Sequence, residues 1–409
     1  MMVFSKIKQI VNSVGPGFIV ASAALGPGSI TVASRIGSVH GYAFLWVIVI
    51  AAVSMIIYTS MALRFGLSNK ESILQTIARK YGRWFAVVIG ISAFLSASSF
   101  QFGNNLGIGI AMKGITGIRE QIWPFIFTPL GLILVFWAKN LYKILEKLML
   151  IMVMIMIVAF VINLLPAKPD IGQLAAGFVP HTFSAQNLDV ISALVATTFV
   201  LNGAIYQAYL VQDKGWSLQN KQQGLNDTYM GISMLAIISG LVIITSSAIL
   251  HPLGITVNSA ADMAIQLESL FGKYAKIVFS FGLFAAAFSS LMVNAVMGGG
   301  LLSDGLGLGR SMNEKMPKIF TSVILLAGMM VAVLFKGNAV YALILAQASS
   351  ILAVPLIAIG LFLIVNSKKV MKEFKNNLWQ NILAVIGFIL ICLMVYYMFT
   401  RIFSFIHSI

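Results

Sequence analysis

The sequence predicts an all-α, polytopic membrane protein with eleven transmembrane helices. Of its residues, 59% are apolar and only 10% are charged, which is far from the balance of a soluble domain. Apolar runs long enough to cross a bilayer recur along the whole chain. The first and the sixth of these runs are interrupted in the middle by turn-forming residues. We therefore expect residues 1–409 to form a single transmembrane domain.

The predicted helices are separated by short connections. In lipid every backbone N–H and C=O group needs a partner within the protein, so an apolar segment of this length is predicted to be helical. The segments are 15–37, 42–63, 84–112, 121–138, 144–166, 187–212, 227–250, 274–302, 317–335, 339–366 and 378–403. The connection 167–186 contains Pro169 and Pro180, which mark it as a loop.

Basic residues in the connections predict the orientation. Most of the 27 Lys and Arg residues lie on the same side as the amino terminus, and positively charged loops stay in the cytoplasm. We therefore expect a multi-pass protein of the cell membrane with its amino terminus inside and its carboxy terminus outside. The net charge of +15 does not indicate nucleic-acid binding, because the basic residues are dispersed. The single cysteine, Cys392, excludes a disulfide framework and a cysteine metal cluster.

The first apolar segment is interrupted at Gly26-Pro27-Gly28. Proline lacks an N–H group and clashes with the preceding helical turn, while glycine leaves helical dihedral angles at little cost. Irregular backbone in a bilayer persists only where protein or a wet cavity satisfies it. The interruption therefore indicates either a binding site or a simple proline kink.

The sixth segment carries Asn202-Gly203 in its middle, which is also a turn signal. Interruptions in the first and sixth segments predict two five-helix repeats, at about 15–166 and 187–366, and an extra helix at about 378–403. An odd number of helices in a repeat inverts the second repeat, as in LeuT-type transporters. Two unrelated kinks are the alternative.

Neutral groups surround the two predicted breaks. The first halves end in free carbonyl groups near Leu25 and Val200, and the second halves begin with free N–H groups at Gly28 and Gly203. Uncharged side chains near the breaks complete the candidate site, and two more are candidates to line a path. The site residues are Leu25, Gly26, Ser29, Thr197, Thr198, Asn202, Gln207 and Gln347, and the path residues are Gln101 and Asn104.

Several motifs resemble the Nramp family (natural resistance-associated macrophage proteins), which are proton-coupled divalent metal transporters of LeuT-type fold. The similarity runs from about residue 15 to about residue 395. It is carried by Gly15-Pro-Gly17, Pro27-Gly28, Gly41-Tyr-Ala-Phe-Leu-Trp46, Tyr142-Lys-Ile-Leu-Glu-Lys147, Gly282-Leu-Phe-Ala-Ala-Ala-Phe-Ser-Ser290, and Ala346-Gln347 through Pro355. The resemblance implies an alternating-access transporter and not an enzyme.

The chain departs from the family at the metal-binding positions. The family's Asp-Pro-Gly-Asn reads Gly26-Pro27-Gly28-Ser29, so Gly26 stands in place of the carboxylate. The family's Met-Pro-His reads Val200-Leu201-Asn202, and the acidic pair of its proton route aligns with Gln101 and Asn104. These changes suggest an altered task, such as that of Nramp-related magnesium transporters, which admit a less dehydrated ion.

The chemistry of the neutral site limits which ions it can bind and transport. Mn²⁺, Fe²⁺ and Zn²⁺ gain from imidazole or sulfur ligands, whereas Mg²⁺ keeps several waters that carbonyl and amide oxygens can hold. We therefore expect transport of hydrated Mg²⁺, with Mn²⁺ as a further ion, by a monomer that has no cofactor. Ser29, Asn202 and Gln347 would bind the ion directly or through water, beside the carbonyls near Leu25 and Thr197.

Two further expectations and two alternative functions follow from the lack of charge at the site. Thr198 and Gln207 would orient waters. Transport would not be coupled to protons, because titratable residues such as Asp227 fall at predicted helix ends, where a carboxylate caps a helix or faces its dipole. The alternative to a cation transporter is a transporter of a small neutral or zwitterionic solute such as an amino acid, which a neutral site also suits. A second alternative is a sensor that transports nothing.

Overall fold

The computed structural model describes residues 15–137, 167–180, 187–258, 274–335 and 354–407, with a few single positions between these ranges. All regular elements among these residues are helical. They are α1 (Pro16–Ala24), α2 (Pro27–His40), α3 (Leu45–Ser68), α4 (Ile73–Tyr81), α5 (Arg83–Thr116), α6 (Pro124–Trp137), α7 (Ile171–Gly177), α8 (Leu188–Thr198), α9 (Leu201–Asp213), α10 (Lys221–Ile249), α11 (Ala275–Leu306), α12 (Lys315–Leu334), α13 (Val354–Val365), α14 (Lys368–Met371) and α15 (Leu378–His407).

Eight helical segments in the described ranges are long and apolar enough to cross a membrane, and α8 and α9 count together as one of them. Two bent pairs raise the number to ten: α1 with α2, bent by 56°, and α13 with the residues up to Phe374, bent by 63°. The all-helical membrane fold and the interrupted first and sixth segments are confirmed. Segment 144–166 and the first half of 339–366 fall largely outside the described residues, so the total of eleven helices and the two repeats stay predictions.

Packing places the interrupted helices at the centre. The most extensive contact is between α5 and α11. α9 packs on α3, and α10 packs on both α1 and α2. The helix that follows each interrupted segment therefore packs against the other interrupted segment, which is the reciprocal arrangement that two related repeats would produce.

α1 crosses α10 with their backbones in direct contact. A Cβ atom at Gly17 would lie 2.6 Å from the backbone oxygen of Asp227, and one at Gly231 would lie 2.5 Å from the backbone oxygen of Gly17. Small residues at such crossings allow the close approach on which helix association in membranes depends. The same crossing carries a buried polar contact, in which the N–H of Gly17 donates to Oδ2 of Asp227 at 2.7 Å. Asp227 thus faces the positive end of the α1 dipole.

Replacing Asp227 by asparagine keeps the side-chain size but removes this charge. Because a hydrogen bond to a charged group contributes about 1.5–3 kcal/mol, we expect D227N to lose about 2 kcal/mol of stability. The melting temperature of the purified protein in detergent measures the loss. The matched control is N226A at an exposed neighbour, which we expect to change stability by less than about 0.5 kcal/mol. Equal melting temperatures for the two variants would contradict the assignment.

Candidate functional site

The first break comprises Leu25 and Gly26. α1 ends at Ala24 and α2 begins at Pro27, and both residues between them have non-helical dihedral angles. The N–H of Leu25 still donates to Ala21 at 3.0 Å, and the carbonyl of Gly26 accepts from Ile30 at 3.3 Å. Proline in the first turn of α2 needs no N–H partner, which is why the chain resumes its helix there. The predicted break is confirmed, but the second half starts one residue before Gly28.

The second break comprises Phe199 and Val200. α9 begins at Leu201, so the prediction that the second half starts at Gly203 is wrong. Asn202-Gly203 lies in the first turn of α9 and does not form the turn itself. Gly203 has a packing role instead, because a Cβ atom there would lie 3.0 Å from Cγ1 of Val20 on α1. Glycine at this position lets the two interrupted segments approach each other.

α11 satisfies the end of α1 with two side chains. The carbonyl of Ala23 accepts from Ser290 Oγ at 2.9 Å and from Asn294 Nδ2 at 2.8 Å. Sequence reasoning missed both residues. A signal was present, because Ser290 and Asn294 are four residues apart in an apolar helix and therefore share one face. The carbonyl exposed by the break is thus held by protein.

Three buried asparagines leave an acceptor oxygen without a hydrogen-bond partner: Oδ1 of Asn104, Asn202 and Asn294. Each side chain is at most 1% exposed. Their amide nitrogens are engaged: that of Asn104 with Gln101 Oε1 at 3.1 Å, and that of Asn202 with the Ala93 carbonyl at 3.1 Å. Thr198 Oγ1 is a fourth buried oxygen without a hydrogen-bond partner. A buried acceptor without a partner costs free energy, so these neutral oxygens are suited to a ligand that supplies positive charge or O–H groups.

One face of α5 borders both breaks. Asn202, at the second break, donates to Ala93 on α5. Asn104 Oδ1 lies 3.1 Å from the position that a Cβ atom would take at Gly26, in the first break. Gln101, between these two positions, donates from Nε2 to the carbonyl of Leu291 at 2.7 Å. The predicted path residues Gln101 and Asn104 therefore lie at the candidate site, and Gln101 ties α5 to α11.

The remaining predicted site residues differ in their hydrogen-bond partners and in their distance from the breaks. Ser29 Oγ donates to the Gly26 carbonyl at 2.8 Å, and Thr197 Oγ1 donates to Leu194 at 3.0 Å, so both hydroxyls are turned to local backbone. Gln207 donates to Thr228 Oγ1 at 3.1 Å, away from the break and towards α10. Gln347 lies outside the described residues.

The space beside Gly26 is already filled. A Cβ atom at this position would lie 2.8 Å from Ser290 Oγ and 3.1 Å from Asn104 Oδ1. A side chain as large as aspartate would therefore have to displace the side chains of Ser290 and Asn104. Across the described ranges, no group of three or more His, Cys, Asp and Glu side chains could hold a metal ion. The arrangement offers uncharged oxygen ligands.

A second buried polar cluster lies at the end of α11. Asp304 is fully buried, and its Oδ2 accepts from Ser72 at 2.5 Å and from Tyr209 at 2.6 Å. These short bonds are typical of a hydroxyl that donates to a carboxylate. Ser72 also caps α4 by accepting from the N–H of Gln75 at 3.1 Å. Asp304 thus joins α4, α9 and α11, and sequence reasoning missed it.

We expect G26A to destabilise the protein by about 1–3 kcal/mol, because the added methyl group overpacks the break against Ser290. The melting temperature in detergent measures this change. Adding S290A removes the nearest atom, so the double variant should be more stable than the sum of the two single changes predicts. Strict additivity would show that Gly26 and Ser290 do not share this space.

The stacked pair Tyr206 and Tyr209 provides a matched test of the Asp304 cluster. Their ring centroids are 5.1 Å apart with an angle of 7° between the planes. Only Tyr209 donates to Asp304, whereas the hydroxyl of Tyr206 has no hydrogen-bond partner. We expect Y209F to lose about 2 kcal/mol in thermal unfolding and Y206F to be neutral or stabilising. A larger loss for Y206F would overturn this assignment.

Comparison with known proteins gives one family. A family model described as natural resistance-associated macrophage protein-like matches residues 17–401. A divalent metal cation transporter MntH of Caldanaerobacter subterraneus is 24% identical over 391 residues, which cover 93% of this chain and 91% of the relative. An MntH of Staphylococcus aureus is 21% identical and covers 99% of this chain and 94% of its own.

Solved structures share the fold at low identity. A crystal structure of a mutant of the Eremococcus coleocola manganese transporter superposes with a TM-score of 0.81 at 17% identity, covering 95% of this chain and 86% of that one. MhsT in complex with L-phenylalanine superposes with a TM-score of 0.60 at 14% identity, covering 93% of this chain and 98% of that one. The LeuT-type fold predicted from the two breaks is thereby confirmed.

Proposed function

The chain belongs to the Nramp family, whose model matches residues 17–401, and we propose that it transports a hard divalent metal cation across the membrane by alternating access. MntH relatives are named as divalent metal cation transporters, and a structural neighbour is named as a manganese transporter. For this chain the proposal is supported by three asparagines beside the two breaks, Asn104, Asn202 and Asn294, each of which has a buried amide oxygen without a hydrogen-bond partner. Carbonyl-type oxygens suit Mg²⁺, Ca²⁺ and Mn²⁺, whereas softer ions gain from imidazole or sulfur.

Neutral ligands also limit how much water the ion loses. Moving an ion out of water costs of order 20 kcal/mol in a medium of low dielectric constant, and neutral amides offset only part of that cost. The cation would therefore keep much of its hydration shell while Asn104 and Asn294 contact its waters at the first break, and Asn202 would contact them further along the α5 face. Mg²⁺ dehydrates reluctantly and fits this arrangement. Mn²⁺ accepts the same oxygen ligands and is the cargo named for the structural neighbour. The proposal covers both ions.

The driving force would be the membrane potential, without proton coupling. Two carboxylates are buried among the described residues, and both are engaged away from the breaks. Asp227 accepts a hydrogen bond from Gly17, and Asp304 accepts from Ser72 and Tyr209. No titratable side chain takes the place that the family's carboxylate has at Gly26. A membrane potential that is negative inside would pull cations into the cell.

Uptake by the purified protein in liposomes tests the function. We expect Mn²⁺ and Mg²⁺ to enter when a negative internal potential is imposed, as measured with indicators trapped inside. N202A and N294A should each raise the half-saturating concentration by about five- to thirtyfold, which corresponds to 1–2 kcal/mol. The exposed N226A should transport as the unchanged protein does.

Three outcomes would overturn parts of the proposal. Luminal acidification in step with cation uptake would show proton coupling. Uptake of an amino acid without any cation flux would assign the chain to a neutral or zwitterionic solute. Binding of Mn²⁺ or Mg²⁺ without flux of any tested solute would identify a sensor.

A further inference from the structure

An open cavity of about 220 Å³ lies at the end of the first span remote from the break. Its walls come from three elements: the end of α2 with the following turn, the short loop helix α7, and the turn after α10. His40, His251 and Gln173 line it. From the predicted orientation, this end of the molecule faces outwards. His40, at the end of α2, and His251, in the turn after α10, thus share one cavity.

His251 is oriented by a backbone carbonyl. Its Nδ1 lies 2.9 Å from the carbonyl oxygen of Ser38 on α2. A carbonyl oxygen only accepts hydrogen bonds, so Nδ1 carries the proton and Nε2 of the neutral ring keeps its lone pair. A histidine that ligates a metal ion almost always has its other nitrogen bonded in this way.

The side-chain amide of Gln173 is also oriented by a group that can only accept hydrogen bonds. Its Nε2 donates to Asp170 Oδ2 at 3.1 Å. Since the carboxylate only accepts, the amide nitrogen faces Asp170, and Oε1 is the atom that remains as an acceptor. Oδ1 of Asp170 accepts from the N–H groups of Gly172 and Gln173 at 2.9 Å and 3.1 Å and so caps α7. A carboxylate therefore stands directly behind the amide.

His40 stands at the negative end of a helix dipole. It is the last residue of α2, where exposed carbonyl groups favour a cation. Its ring packs edge-on against Phe44, with centroids 5.2 Å apart and 79° between the planes. The loop that follows is fixed to α7, because Gly177 lies in direct backbone contact with Tyr42. This packing holds α7 against the turn after α2, and the contact of His251 with Ser38 joins the turn after α10 to the same end of α2.

We propose that this cavity binds a divalent transition-metal ion of the class that prefers imidazole, such as Zn²⁺. The ligands are the two imidazoles of His40 and His251 and Oε1 of Gln173, and a water completes a tetrahedral set. The site differs from the helix breaks in its chemistry, because nitrogen ligands select ions that the neutral oxygens of the breaks do not favour.

Occupancy of this site has a consequence for transport, which rests on the proposed function. A bound ion links α7 to the ends of α2 and α10. α2 is one half of the interrupted first span, and alternating access requires the halves of such spans to change their packing. A Zn²⁺ ion in the cavity therefore inhibits uptake of Mn²⁺ or Mg²⁺.

Co²⁺ is the probe, since its visible absorption reports nitrogen ligands and does not depend on transport. The purified full-length protein should develop d–d absorption bands on addition of Co²⁺, and Zn²⁺ should abolish them. H251A and H40A should each weaken Co²⁺ binding at least about tenfold, and Q173A should weaken it less. H407A is the matched control, because it removes a histidine at the end of α15 and should leave the titration unchanged.

Inhibition of uptake is the second readout. Zn²⁺ should inhibit Mn²⁺ or Mg²⁺ uptake by the unchanged protein and by H407A, and H251A should be insensitive. Co²⁺ bands that persist in H251A, or no bands in a protein that transports, would overturn the metal site alone. Absence of any cation uptake together with intact Co²⁺ binding would overturn the proposed function and leave the metal site standing.

Discussion

The lack of water in the hydrocarbon core governs how the two breaks are built. Each interruption removes intrahelical hydrogen bonds, and the exposed groups need partners from neighbouring helices. α11 provides them at the first break, where Ser290 and Asn294 donate to the carbonyl of Ala23. At the second break, Asn202 connects α9 to the backbone of α5. The most extensively packed helix pair in the described fold, α5 with α11, therefore borders both breaks, and α11 supplies the hydrogen-bond donors at the first.

Each asparagine side chain at the breaks has two functions: its amide nitrogen donates to another group of the protein, and its amide oxygen is available to a ligand. Their nitrogens hold carbonyl groups or other amides, while their Oδ1 atoms keep acceptor capacity in buried surroundings. A carboxylate could not act in this way, because it has no N–H group to donate. Ser290 and Asn104 have also closed around Gly26, so the neutral state of the site is built into its packing. A carboxylate at this position would need the side chains of Ser290 and Asn104 to move aside.

Much of the fold could be predicted because membrane helices are specified by local composition. Long apolar runs and the Gly26-Pro27-Gly28 signal depend on neighbouring residues alone, and both predictions were confirmed. The second break could not be located exactly from Asn202-Gly203, because tertiary packing against Val20 accounts for that glycine. Asn294 and Asp304 were missed for a related reason. Their roles depend on partners that lie more than two hundred residues away in the sequence. Asn294 donates to Ala23, and Asp304 accepts from Ser72.

The contacts at the two ends of α1 have a mechanical consequence. Near its start the N–H of Gly17 is bound to Asp227 on α10, and near its end the carbonyl of Ala23 is bound to α11. The helix α1 is thus held near both ends, by α10 near its start and by α11 near its end. A rotation of α1 about one end would stretch the hydrogen bonds at the other end. The helix can therefore move freely only when the contacts at both ends are broken. We therefore expect α1 to change its packing in a single step in which the contacts at both ends break together.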